Sequence, residues 1–137
     1  MSKPPKSKNV HASGKRKRAI ARVTVTPGNG LVSINGVALQ HYGNELNRAR
    51  VREPLMLAGE TATKHNFLVR AVGGGVSGQA DAIRLAIGRT LVQIDGALKE
   101  KLLDYDRQLL VADIRRKESA KPNSHGQARS KTQKSYR

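Results

Sequence analysis

One stretch constrains the fold more than any other. It runs Gly73-Gly74-Gly75-Val76-Ser77-Gly78-Gln79 and continues Ala80-Asp81-Ala82-Ile83-Arg84-Leu85-Ala86-Ile87-Gly88-Arg89-Thr90-Leu91. A strand-like run, His65 to Val72, enters it, and an amphipathic helix leaves it. Ala80, Ile83, Ile87, Leu91 and Ile94 recur at helical spacing and share one stripe. Asp81, Arg84 and Gly88 fall on another face, where Asp81 is placed to pair with Arg84 one turn on. This is the longest clean helical pattern in the chain. It predicts the wall against which the strands bury their apolar sides.

The remaining elements follow from simpler signals. Ala19 to Thr26 alternates, with Ala19, Ala21, Val23 and Val25 on one side and Arg22 and Thr24 on the other, as in a half-buried strand. Pro27-Gly28-Asn29-Gly30 is a turn signal. Leu31 to Ile34 resumes the strand pattern, so 19–34 reads as a β-hairpin, and Asn35-Gly36 turns the chain again. Glu45 to Ala58 is helical by composition, with Asn44 as N-cap. Pro54 predicts two short helices meeting near Glu53. His65, Phe67, Val69 and Ala71 alternate with Asn66, Leu68, Arg70 and Val72. Apolar residues on both sides predict a central strand covered on each face. Leu98, Leu102 and Leu103 predict a further helix ending near Asp104, and Tyr105 to Val111 is the last apolar cluster.

Charge divides the chain into three parts. The 137 residues carry a net +16. Residues 1–18 hold seven Lys or Arg and no acid, 19–113 hold eleven basic and nine acidic residues, and 114–137 hold eight basic residues and Glu118. The expected organisation is a flexible basic extension over 1–14, an α/β body over 15–112 and an extended basic tail over 113–137. Neither end has enough apolar surface to offset chain entropy. Clustered cations around a near-neutral body favour a polyanion as partner, because each phosphate contact releases counterions. Lys15-Arg16-Lys17-Arg18 is one candidate phosphate-binding run. Arg115, Arg116, Lys117, Arg129 and Lys131 form a second along the tail. Lys131, Lys134 and Arg137 recur every third residue, which aligns them in a polyproline-like conformation. There is no Cys, hence no disulfide or thiolate metal site. The start lacks the apolar core of a signal peptide, and no window approaches a bilayer span, so an intracellular protein without a membrane partner is expected.

Gly73-x-Gly75-x-x-Gly78 matches the dinucleotide fingerprint and sits between a strand and a helix. That motif requires a following parallel strand, whereas Leu98 to Leu103 reads as more helix. Two other readings stand beside it. Glycine permits a tight turn and close packing at the helix start, and the exposed amides of Gly74 and Gly75 can hold an RNA phosphate. His11, His41, His65 and His125 lack metal-ligand spacing, and nothing nominates a catalytic constellation. Tyr42, Phe67, Tyr105 and Tyr136 are too few for a base-stacking sheet, which favours readout of folded RNA by charge and shape.

With these pieces in place the chain resembles a known family. Gly14-Lys15-Arg16-Lys17-Arg18-Ala19, Gly28-Asn29-Gly30 with Ile34-Asn35-Gly36, Arg52-Glu53-Pro54-Leu55, Gly73-Gly74-Gly75 with Gly78-Gln79 and Ala82-Ile83-Arg84, Tyr105-Asp106-Arg107 and the ending Gln133-Lys134-Ser135-Tyr136-Arg137 are similar to the universal family of small-subunit ribosomal protein nine. The ending is of the archaeal or eukaryotic type. The resemblance implies an α+β fold: a mixed four-stranded sheet packed with helices, with a left-handed β-α-β crossover of the ribosomal-protein-S-five-domain-two-like kind and extended basic tails. It implies a structural, non-enzymatic constituent of the small-subunit head, in the cytoplasm within the ribosome, with no cofactor. The implied partners are the 3′ domain of small-subunit rRNA, neighbouring head proteins and P-site tRNA. The anticodon stem-loop of that tRNA would meet Lys134, Tyr136 and Arg137. The rival readings are a nucleotide-binding enzyme using the Gly73–Gly78 loop and a free nucleic-acid-packaging protein.

Overall fold

Alternation of small and β-branched residues decides which side of the sheet is covered. The computed structural model describes residues 9–124, 126 and 128–129. Its strands are β1 (Val10–Arg16), β2 (Ala19–Pro27), β3 (Val32–Ile34), β4 (Val37–Ala38) and β5 (His65–Val72). Its helices are α1 (Glu45–Ala58), α2 (Glu60–Thr63), α3 (Val76–Ile94) and α4 (Leu98–Tyr105), with short 3-10 turns at Leu39–His41 and Arg107–Leu109. Ala19, Ala21, Val23 and Val25 of β2 are buried, as are Phe67, Val69 and Ala71 of β5. Antiparallel register sets Ala21 opposite Ala71, Val23 opposite Val69 and Val25 opposite Phe67, so one face is apolar throughout.

The mixed sheet packed with helices is as expected, but among the described residues it has five strands, in the order β1-β2-β5-β3-β4. The 19–34 hairpin does not form. β5 lies between β2 and β3, antiparallel to the first and parallel to the second. The side chain of Asn66 locks this arrangement by accepting the backbone N–H groups of Asn29 and Leu31. A parallel pair needs a crossover, and α1 and α2 supply it. The predicted turn at Asn35-Gly36 joins β3 to β4, with φ of 52° and 82°, the left-handed pair a two-residue hairpin favours.

Residues 10–14, expected to be part of a disordered extension, form most of β1. Val10, Ala12, Gly14 and Arg16 lie on the covered face opposite Val25, Val23, Ala21 and Ala19. Ala12 and Gly14 are small and Arg16 is charged, so the polar composition hid the pattern. The outer face of β5 is open, not covered: Leu68 and Val72 are exposed. α1 runs unbroken through Pro54, which is buried with Val51 and Ala58 on the flank facing α3. Asn44 caps it, accepting the N–H of Asn47.

Helix α3 is buried over a wider arc than its stripe predicted, adding Ala82, Leu85, Ala86, Gly88 and Thr90 to Ala80, Ile83, Ile87 and Leu91. Each of the large aliphatic side chains contributes about 1.5–3 kcal/mol relative to exposure. The helix also lies close to the sheet. A Cβ on Gly14 would meet the Ala82 carbonyl oxygen at 2.3 Å and the Ala86 nitrogen at 2.8 Å. Among the described residues no helix is long and apolar enough to cross a membrane.

This seam gives a direct expectation. Gly14→Ala forces strand and helix backbones apart and should cost about 1–3 kcal/mol. Gly96→Ala, at a glycine with no positive φ and nothing within 4 Å of its added carbon, should change stability by less than about 0.5 kcal/mol. Urea unfolding of both variants decides it; equal midpoints would contradict the close packing.

Candidate nucleic-acid interface

The glycine run acts first through geometry. Gly73 and Gly74 have φ of 74° and 62°, which turn the chain from β5 into α3. A Cβ on Gly73 would sit 2.5 Å from the Arg18 carbonyl oxygen, so the run also admits the β1–β2 turn beside the helix start. Gln79 closes the loop by donating from Nε2 to the Gly73 carbonyl at 3.0 Å. No side chain caps the helix and no acid lies in its first turn. Its orphan N–H groups and positive dipole end therefore face outward.

Lys17 and Arg18 form the two-residue turn between β1 and β2, both exposed, with Lys17 at φ 53°. They line two clefts. One is lined by Arg16, Lys17, Arg18, Gly74, Gly75 and Asp81. The other is lined by Lys15, Lys17, Arg18, Arg115, Arg116 and Lys117. The fold thus brings together two basic runs about a hundred residues apart in sequence and sets them against the helix start. Lys15, Lys17, Arg18 and Lys117 have no ion-pair partner among the described residues.

Arg16 is differently placed from its neighbours. Its guanidinium is half-buried in an ion pair with Asp113 and lies 3.9 Å from Asp81. Asp113 also accepts the backbone N–H of Arg115 at 3.0 Å, and its carbonyl accepts from Arg116 Nε at 3.3 Å. These bonds fix the root of the tail against the turn. The Arg115 N–H, with Arg16 beside it, holds the Asp113 carboxyl below its usual range. Farther out, Lys121 and Arg129 both bind Glu118, at 2.9 and 2.8 Å, and hold its carboxyl low as well. Lys131, Lys134, Tyr136 and Arg137 lie outside the described residues.

The expected Asp81–Arg84 pair is not made. Asp81 instead faces Arg50 at 3.4 Å and Arg16. Arg84 binds Glu53 of α1 at 2.7 Å and Asp106 at 2.8 Å. Burial opposes its charge, but the hydrogen bonds to Asp106 and Glu53 prevail and hold its pKa above the ordinary guanidinium value. Asp113 and Asp106 are the structural residues that sequence reasoning missed. The available signal was position: Asp113 is the last acid before the run Arg115-Arg116-Lys117.

Because its folded pKa is depressed, Asp113 contributes stability in full above the ordinary carboxylate value of about 3.9, and that contribution is lost as pH falls through the folded value. The protection factor of the Arg115 amide, its exchange rate relative to an unstructured amide at the same pH, should therefore hold from neutral pH down to about 4 and fall below it. In Asp113→Ala, which removes the side-chain acceptor, it should be low at every pH. Protection of Arg115 unchanged in the variant would contradict the latch.

The helix after the glycine run leads into α4, and among the described residues no parallel strand follows it, so the dinucleotide context is not met there. Comparison with known proteins points elsewhere. The family model described as ribosomal protein S9/S16 matches residues 14–137. A protein of Methanothrix thermoacetophila named small ribosomal subunit protein uS9 is 46% identical over 132 residues, covering 95% of this chain and 99% of its own. Proteins of the same name from Thermoplasma volcanium and Aeropyrum pernix are 45% and 44% identical, each over 93% of this chain and over 98% and 96% of their own lengths. By sequence over nearly its whole length, the chain belongs to the ribosomal protein S9/S16 family.

Proposed function

We propose that the chain is a structural constituent of the small ribosomal subunit head that binds the 3′ domain of small-subunit rRNA. It works there in the cytoplasm, without a cofactor, among neighbouring head proteins. The observation that carries this reading is the convergence of Lys15, Lys17 and Arg18 with Arg115, Arg116 and Lys117 on one cleft, beside an uncapped helix start. Fixed cations and outward amides at one place suit phosphates of folded RNA, which are held by charge and hydrogen bonding without regard to base. Family membership supports the same partner. The organisation proposed is a body ending near Asp113 and a tail that takes its path from RNA. In this reading Arg129 and Lys131 neutralise RNA along the tail. Lys134, Tyr136 and Arg137 meet the anticodon stem-loop of P-site tRNA, with Arg137 and Lys134 acting on phosphate.

Two measurements test it. Lys17→Ala, Arg18→Ala and Arg116→Ala together should weaken binding to a 3′-domain rRNA fragment and lower the slope of log affinity against log salt by about 3. An unchanged slope would remove the cleft from the interface. Deleting residues 131–137 should reduce P-site tRNA retention by purified small subunits while leaving the chain's incorporation intact. Unchanged tRNA affinity would defeat the tail assignment.

A further inference from the structure

The sheet's open face carries a feature that the cleft does not explain. Ile20, Arg22 and Thr24 of β2 lie there opposite Val72, Arg70 and Leu68 of β5, forming three cross-strand rows. The middle row sets two arginines directly opposite each other, a like-charge arrangement that destabilises an isolated sheet. Neither has an ion-pair or hydrogen-bond partner among the described residues. No strand of the sheet contains an acid. The flanking rows are apolar in part: Leu68 is 60% exposed and Val72 47%. Rows two residues apart along a strand are about 6.8 Å apart, so the arginines lie between exposed aliphatic side chains, Val72 on one side and Leu68 on the other.

We propose that this face docks a neighbouring protein through a segment presenting an acidic side chain between apolar ones. Charge complementarity selects the acid, because an anion placed between Arg22 and Arg70 removes their repulsion and accepts from both guanidinium groups. The apolar rows select protein over RNA. A phosphate chain meets the arginines but offers nothing to Leu68 or Val72, whereas a protein segment offers apolar carbon as well, and arginine is among the residues enriched at protein interfaces. Arginine is also the more weakly hydrated cation, so a dry contact costs less here than it would at lysine. An amphipathic helix along the strands fits the spacing. Four residues of helix rise about 6 Å, close to one row.

The proposal rests on the ribosomal reading only for where the partner is found. The test uses small subunits from cells whose sole copy of the chain carries the photoreactive residue p-benzoylphenylalanine at position 68. Sedimentation with subunits is measured first on the unsubstituted chain, so failure of the ribosomal reading shows there, separately. The expected result is a crosslink to one defined protein segment with Asp or Glu between apolar residues. Arg22→Glu with Arg70→Glu should lower its yield at least about tenfold, and Arg22→Gln with Arg70→Gln by a smaller factor, serving if the first pair fails to fold. A crosslink to rRNA, no crosslink at all, or a yield indifferent to both arginine pairs would overturn the proposal.

Discussion

The closeness of α3 to the sheet is the constraint from which the rest of the architecture follows. Gly14 lets β1 approach the helix backbone at Ala82 and Ala86. Gly73 lets the β1–β2 turn approach the helix start, and Gly88 faces the Leu109 carbonyl, 2.4 Å from where a Cβ would be. These contacts bring the basic turn to one end of the helix and the root of the basic tail alongside it. Each depends on the absence of a side chain, so none can be replaced by a compensating change of rotamer. The two charged runs are then neighbours because of packing, although they repel each other.

The body's acids account for how that repulsion is borne. Glu53, Asp81, Asp106 and Asp113 each face a particular arginine: Arg84, Arg16 with Arg50, Arg84 again, and Arg16. The near-neutral middle of the chain is therefore a set of specific ties and not a uniform blank. Four of its acids are spent holding α1, α3, the β1–β2 turn and the tail root together. Lys15, Lys17, Arg18 and Lys117, which have no such ties among the described residues, line the cleft. Arg16 belongs to the first group, although in sequence it is indistinguishable from its neighbours.

Local features were legible in the sequence, and pairings across long separations were not. The Asn44 cap, the Ala19–Val25 alternation, the Asn35-Gly36 turn and the stripe of α3 are each set within a few residues and each appear as expected. β1 was hidden because Ala12 and Gly14 on its covered side are small and Arg16 beside them is charged. The insertion of β5 between β2 and β3 depends on Asn66 and on register, neither of which periodicity reports. Pro54 was read by its missing N–H, but the flank it buries in α1 decided the outcome. The cationic runs were visible as composition; their convergence on one cleft needed Gly73, Asp113 and the seam. The flexible arms inferred from charge are anchored at both roots, at β1 and at Asp113. RNA is left to direct only the tail beyond that point, under the proposed reading.

The central claim is that the fold assembles the two basic runs before any RNA arrives. The chain has no native Cys, so cysteines at positions 17 and 117 can carry spin labels without interference. The distance distribution between them, measured by pulsed electron resonance on the free protein, should be single, short and narrow. In Asp113→Asn it should broaden and lengthen. A broad, long distribution in the otherwise unaltered protein, identical to that of the variant, would contradict the account.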